Sequence, residues 1–319
     1  MKIQALNDNR FNESKSKYFF IIWLVSFFAM ITNSIKILFR KFFVKQYRGK
    51  NFKRIWWEMG RDEKHYSSLF IDRFSKTNHY IKVKAASSMA LDVVYDWEDR
   101  IRKGNTGNNL ASKFTNFWFN NIDNQKALNN RRILVTSLLN KTIKEFKNES
   151  EIRLISIAAG SARAVISVIK ENKDCNIKVI LIDKDEEALS NAKINAVKEG
   201  IADKFEFICD TAGSIVEVSK NFRPHIVEMV GLMDYFNTEK SIEVCGKIYN
   251  SLVEGGYFLT GNVKKNREKI FLDWGLLWPM IYKDEKVFEE IILGAGFSSE
   301  NVSIFYEPFK IHGVSFSKK

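Results

Sequence analysis

Five short segments in the C-terminal half place small or acidic residues directly behind apolar, strand-like runs. The first is Ala158-Ala159-Gly160-Ser161-Ala162-Arg163, behind the run Ile152 to Ala158. A turn of small residues lets backbone approach a ligand, and the free N–H groups of a following helix favour a negative group such as a carboxylate. The second is Asp183, which closes the run from Ile177 and lies 23 residues after Gly160. A carboxylate at that strand tip suits a bidentate hold on ribose hydroxyls. Capping the helix that starts near Asp185 is the competing use. The third is Asp210-Thr211 behind Phe205 to Ile208, placed to hydrogen-bond an adenine amino group or to cap a helix. The fourth is Gly231-Leu232-Met233-Asp234-Tyr235-Phe236, and the fifth is Gly261-Asn262.

Other reactive side chains are sparse. Cys175, Cys209 and Cys245 stand 34 and 36 positions apart with no CxxC pair, which speaks against a zinc module or a disulfide framework and for a reducing compartment. No metal is expected. His225 begins the fourth strand, at the edge remote from the ligand, and reads as structural. His312 begins the last strand; if that strand is antiparallel it reaches back toward the ligand edge, although a surface position is the expectation. His65 and His79 carry no partner pattern.

These segments need a scaffold that brings them to one edge. From Glu151 onward strands alternate with helices: helices at Ala162 to Lys170, Asp185 to Glu199, Thr238 to Leu252 and Glu285 to Leu293 separate strands at 152–158, 177–182, 205–208, 225–230 and 257–261. The fold class is therefore α/β, a Rossmann-like doubly wound sheet in which ligands sit beyond the carboxyl ends of the strands. Two final strands, Val302 to Tyr306 and Ile311 to Phe316, have no helix between them, so the last runs antiparallel. Residues 58–150 read as a helical extension, a cap over the site, with helical spacing over Asp62 to Phe74 and Lys82 to Arg102. Asp123 starts a further helix through Ile143.

The 319 residues carry 50 Lys+Arg and 38 Asp+Glu, a net charge of +12. Residues 1–57 hold 12 of the basic and 2 of the acidic residues, so the remainder is nearly neutral at +2. A basic N-terminus and a neutral catalytic half argue against nucleic acid as the partner. Tyr18 to Ile31 is a run of fourteen uncharged residues, continued to Phe39 with one lysine, and a dense basic stretch follows. The segment 18–39 is a candidate membrane anchor, single-pass or interfacial, with burial against the body of the protein as the alternative; a cleaved signal peptide is disfavoured because no small-residue cleavage site follows the run. The charge bias places the rest of the chain on the cytoplasmic side, and basic residues beside a bilayer bind anionic head groups. The domains so read are 1–57, 58–150 and 151–319.

The series LISIAAGSARAV, LIDKDEEAL, FICDTAG, VGLMDYF, LVEGGYFLTGNV and GAGF before a terminal hairpin resembles class I S-adenosylmethionine-dependent methyltransferases over about residues 124–319. It is most similar to a methyltransferase group with an A-(A/C)-G-S-A-R-A turn, a G-L-x-D-Y segment and a W-P-x-x-Y segment, here Trp278 to Tyr282. The resemblance implies S-adenosylmethionine as cofactor. It implies that Ala158, Ala159, Gly160 and Ser161 cradle the methionine end, that Asp183 holds the ribose, and that Asp210 and Thr211 neighbour the adenine. Gly231 and Leu232 join that set, and Leu232 to Tyr235 face the reacting centre. Asp234 and Tyr235, with Tyr282 as a pocket partner, are the candidates for a chemical role. Two departures stand out. Ser156 replaces the usual acidic residue, and Ala158 and Ala162 replace the first and third glycines of the turn. The implied reaction is in-line methyl transfer to O, N or C of a small or lipid-like acceptor. A non-catalytic cofactor-binding protein and a nicotinamide-dependent oxidoreductase are the alternatives; the latter prefers G-x-G-x-x-G, which AAGSAR does not supply.

Overall fold

Runs such as Ile152–Ile157 and Ile177–Asp183 are apolar at most positions, the pattern of strands buried on both faces. In the structure, a computed structural model that describes residues 2–319, they form the middle of a sheet. The strands are β1 (Lys2–Ala5), β2 (Ile152–Ile157), β3 (Ile177–Asp183), β4 (Phe205–Cys209), β5 (Ile226–Met229), β6 (Tyr257–Val263), β7 (Val302–Tyr306) and β8 (His312–Lys318). Among the described residues these eight make one sheet in the order β1-β7-β8-β6-β5-β2-β3-β4. Strands β2 to β6 pair in parallel, and β8 runs antiparallel to both β6 and β7, as the missing crossover helix requires.

The helices are α1 (Phe19–Phe43), α2 (Phe52–Arg61), α3 (Lys76–Val83), α4 (Ser88–Arg102), α5 (Leu110–Asn121), α6 (Asp123–Glu145), α7 (Arg163–Glu171), α8 (Glu186–Lys198), α9 (Ile215–Phe222), α10 (Thr238–Ser251) and α11 (Glu285–Gly294). The chain divides into two units. One comprises the chain up to Asn12, Asn130–Lys265 and Ile281–Lys319; the other comprises Glu13–Asn129 and Asn266–Met280.

The first unit is the sheet with helices on both faces. On one face Leu138, Val165, Ile169 and Leu189 from α6, α7 and α8 pack with Leu154 and Val179. On the other, Ile215, Val244, Ile248 and Ile291 from α9, α10 and α11 pack with Ile155 and Phe258. Each such side chain contributes about 1.5–3 kcal/mol of burial. Three features differ from the sequence reading. Strand β1 adds in parallel to β7, with Ile3 opposite Ile304, a pairing that four residues without an apolar run do not announce. Helix α9 follows the Asp210-Thr211 turn. Gly261-Asn262 lie inside β6 rather than after it, and a Cβ on Gly261 would meet the Val230 side chain at 2.9 Å.

The second unit is helical. The helix expected over Asp62 to Phe74 does not form: α2 ends at Arg61, and a single wide turn occupies Leu69–Arg73. The Asp72 carboxylate accepts from the Ser67 and Ser68 backbone N–H groups at 3.0 and 2.9 Å and from the Ser67 hydroxyl at 3.0 Å. Side-chain bonds of this kind compete with helix propagation. The run read as helical over Lys82 to Arg102 is broken: α3 ends at Val83, Ala86 stands at φ +67°, and α4 begins at Ser88. Trp56 is tied in by its indole N–H to the Asp273 carbonyl (3.1 Å) and by stacking on Trp274, whereas Trp57 is exposed.

Candidate active site

The carboxyl ends of β2, β3, β4 and β5 form one rim. Behind β2 the backbone turns through three left-handed positions, Ala158 at φ +52°, Gly160 at +54° and Ala162 at +51°. An L-residue there costs about 1–2 kcal/mol relative to glycine, so the two alanines keep a glycine-type turn under strain. Two contacts hold it. The methyl of Ala162 is buried in the core, and the Gly160 N–H donates to Asp183 Oδ2 at 2.8 Å. The N-cap of α7 is Ala162, which offers no side-chain acceptor to the first N–H groups of the helix. A helix N-terminus at such a turn suits a carboxylate.

Asp183 ends β3 and does two things at once. Oδ2 takes the Gly160 N–H, and Oδ1 takes the Asp185 N–H at 3.0 Å. An ionised carboxylate has about four acceptor positions, so capacity remains for a diol. The neighbouring tip is joined through the Asp210 N–H to the Asp183 carbonyl, 3.0 Å. Asp210 and Thr211 are exposed, and Asp210 Oδ1 accepts the Thr211 N–H at 2.6 Å. Ala158, Ala159 and Gly160 are half-buried and Ser161 is buried. The turn, Asp183 and Asp210 thus share one edge and are hydrogen-bonded in series.

The adjoining tip of β5 carries a feature the sequence reading passed over. Ser156, standing where an acidic residue is usual, lies directly opposite Glu228 across the β2–β5 pair. Its hydroxyl donates to Glu228 Oε2 at 2.5 Å, and Oε1 accepts the Val230 N–H at 3.1 Å. A carboxyl thus stands beside Ser156, one strand over. Burial pushes the Glu228 carboxyl up to about 7, against the opposing pull of the Ser156 and Val230 hydrogen bonds and the Arg131 charge. Arg131, from α6, is buried, and its guanidinium lies 3.7 Å from where a Gly231 Cβ would sit. The signal for Glu228 was a lone acid inside HIVEMV; Arg131 had none.

Gly231 (φ +103°) and Leu232 lead into a 3-10 turn at Met233–Tyr235. Asp234 is buried there. Its Oδ1 accepts the Val263 N–H at 2.8 Å and its carbonyl accepts the Ile281 N–H at 2.7 Å. Lys283 donates to the Met233 carbonyl at 2.7 Å. Asp234 therefore braces the turn to the end of β6 and to the strand-like segment that carries Tyr282. Tyr235 and Tyr282 are both half-buried. Burial pushes the Asp234 carboxyl up to about 6, opposed by Arg131, the Val263 N–H and Lys283. His312, expected at the surface, is buried, because β8 lies between β6 and β7 and brings it opposite Val263. Among the described residues neither of its ring nitrogens has a hydrogen-bond partner. Burial and Arg131 hold its pKa well below the usual imidazole value. His225, at the opposite edge, accepts the Arg153 N–H through Nδ1 at 3.1 Å and is structural. Among the described residues no group of His, Cys, Asp and Glu could hold a metal ion.

A strained small-residue turn, a helix N-terminus and a carboxylate at the next strand tip fit a nucleoside that carries an amino-acid tail. A sequence profile of the family described as "Putative methyltransferase" matches residues 75–319. No curated protein matches the chain. Among solved structures, a "possible exported protein" of Bordetella parapertussis superposes with a TM-score of 0.62 at 11% identity, over 93% of this chain and 96% of its own. A protein of Nostoc punctiforme described as a "putative O-methyltransferase" gives 0.48 at 16% identity, over 88% and 76%. The magnesium protoporphyrin IX methyltransferase of Synechocystis with bound S-adenosylhomocysteine gives 0.48 at 13%, over 70% and 94%. The chain belongs to the methyltransferase family whose profile it matches.

Proposed function

We propose that the chain transfers the S-adenosylmethionine methyl group to an O, N or C atom of a small or lipid-like acceptor at the cytoplasmic face of a membrane. The observation that carries the cofactor part is the turn with left-handed positions at 158, 160 and 162, latched through Gly160 to Asp183. In this reading Ala158, Ala159, Gly160 and Ser161 hold the amino-acid end, Asp183 the ribose, Asp210 and Thr211 the adenine edge, and Gly231 and Leu232 the sulfonium side. The cofactor, when bound, supplies an electrophilic methyl. The chain's own residues position the acceptor and exclude water, which accounts for most of the acceleration in such a displacement.

Asp234 and Tyr235, with Tyr282 beside them, line the acceptor side. An acceptor that must lose a proton needs a base. A carboxyl pushed up to about 6 is ionised at neutral pH yet basic enough to serve, provided the acceptor reaches its second oxygen. Calorimetric titration with S-adenosylhomocysteine tests the cofactor reading, and transfer of labelled methyl from S-adenosylmethionine into a membrane extract tests the acceptor class. Absence of heat with wild-type chain removes the first. Label appearing only in water-soluble products removes the lipid-like acceptor.

A further inference from the structure

Helix α1 has 25 residues, about 37 Å at 1.5 Å each, long enough to cross a bilayer. Its two faces are arranged the wrong way round for a helix in water. The face turned to the protein carries Ile22, Ser26, Ala29, Asn33 and Ile37. Asn33 Nδ2 donates to the Ser67 and Trp274 carbonyls at 3.1 and 3.2 Å. Lys36 donates to the Tyr66 carbonyl at 3.0 Å, and Arg40 reaches Asp62 at 3.2 Å. The face turned outward carries Phe20, Leu24, Phe28, Ile31, Ile35 and Phe42, all exposed. A water-facing surface helix buries its apolar stripe and exposes its polar one. Here polar groups are spent on the protein and hydrocarbon is left outside.

The ends of α1 decide between crossing and lying flat. Ahead of it, the Ser16 N–H donates to Asp123 at 3.1 Å and Lys126 donates to the Ser14 carbonyl. Behind α1, Tyr47 is buried in a cluster with Ile55, Met59 and Leu277. A spanning helix puts its flanks on opposite sides of the bilayer, but both flanks of this one are fastened to chain on a single side. The positive-inside bias then orients no crossing, and the basic stretch has another use. Lys45, Arg48 and Lys53 are exposed just beyond α1. Up to Trp57 the chain has only Asp8 and Glu13 as acids, and Asp8 is bound by Arg10. The same region of a second copy would therefore offer little charge to meet this one, whereas anionic lipid head groups offer it along the whole edge.

We propose that α1 lies in the plane of an anionic membrane surface, its outward face sunk into the boundary between head groups and acyl chains, and attaches the protein to one leaflet without crossing. This deepens the membrane part of the function proposed above and does not depend on methyl transfer. Co-sedimentation of the full chain with vesicles of phosphatidylcholine, with and without phosphatidylglycerol, tests it. Binding is expected to the anionic vesicles, with a loss of roughly tenfold or more in F28S/I35S/F42S and in K45E/R48E/K53E at unchanged melting temperature. Protease added outside should reach tags at both ends equally. Wild-type affinity in the variants overturns the proposal, as does one tag protected inside. So does light scattering that shows a dimer converted to monomer by F28S/I35S/F42S, since a second copy would then cover the face. S-adenosylhomocysteine binding, measured in the same samples, should be unaffected by these variants. Its absence from wild-type chain that still binds vesicles counts against the methyltransferase reading and leaves this one standing.

Discussion

Each unit buries a cluster of charged groups, and the two clusters differ in completeness. In the helical unit Asp72 receives three hydrogen bonds from Ser67 and Ser68, with Lys82 Nζ 3.8 Å away. Lys82 in turn donates to the His65 and Asp62 carbonyls. The Asp72 carboxylate and the Lys82 ammonium are both answered by near neighbours, and the result is a fastener for the turn at 69–73. In the sheet unit Glu228 and Asp234 are pushed up to about 7 and about 6, and among the described residues His312 has no partner on either nitrogen. There burial outweighs the hydrogen bonds the carboxyls receive, and the two carboxyls can change protonation near neutral pH. Completed polar clusters lock backbone, while incomplete ones beside a rim are where binding and catalysis are found.

The contrast can be broken at either end. Asp72→Ala strips the partner from a buried ammonium and should destabilise by about 3–5 kcal/mol, read from denaturant unfolding. Cofactor affinity of the molecules that remain folded should not move; a matching loss of affinity would show that the helical cluster serves the site. Next in size is Glu228→Gln. Between about pH 4.5 and about 7 the folded chain keeps a proton on Glu228 that the unfolded chain has released. Stability from this group is therefore full below the lower value and is lost as pH rises through the upper one. The glutamine variant should gain on wild type by about 2–3 kcal/mol from pH 5 to pH 8. Parallel pH profiles would mean that Glu228 ionises freely. Asp183→Ala removes both the latch on Gly160 and the diol acceptor, and should weaken S-adenosylhomocysteine by about tenfold or more, 1.4 kcal/mol per decade. An unchanged dissociation constant removes the ribose assignment. The smallest effect belongs to Ala158→Gly, which relieves a left-handed alanine at the cost of a looser unfolded chain. A net gain of about 0.5–1 kcal/mol is expected, and a net loss in thermal melts would mean that the methyl packs usefully.

Much of the sheet unit was legible because its signals are local. Apolar runs closed by Gly160, Asp183, Asp210 and Gly231 mark strand ends wherever the strands later pair, and the absence of a helix between residues 306 and 312 already demanded an antiparallel return. The helical unit was read less well. Periodicity around residues 62–74 suggested a helix, yet Ser67, Ser68 and Asp72 bond one another instead. Helical spacing is a weak prior when short polar side chains can capture the backbone.

The amino-acid order by itself determined which segments are strands, which turns stand at their tips, and that alanine occupies two positions built for glycine. Those properties depend on neighbours a few residues apart, where steric and hydrogen-bond preferences act directly. Tertiary structure decided that Glu228 stands beside Ser156, that His312 goes inside, that residues 2–5 join β7, and that α1 turns its polar side to the protein. These follow from strand register and from which face a neighbouring element covers, quantities set by burial summed over the whole molecule and carried by no single stretch of sequence.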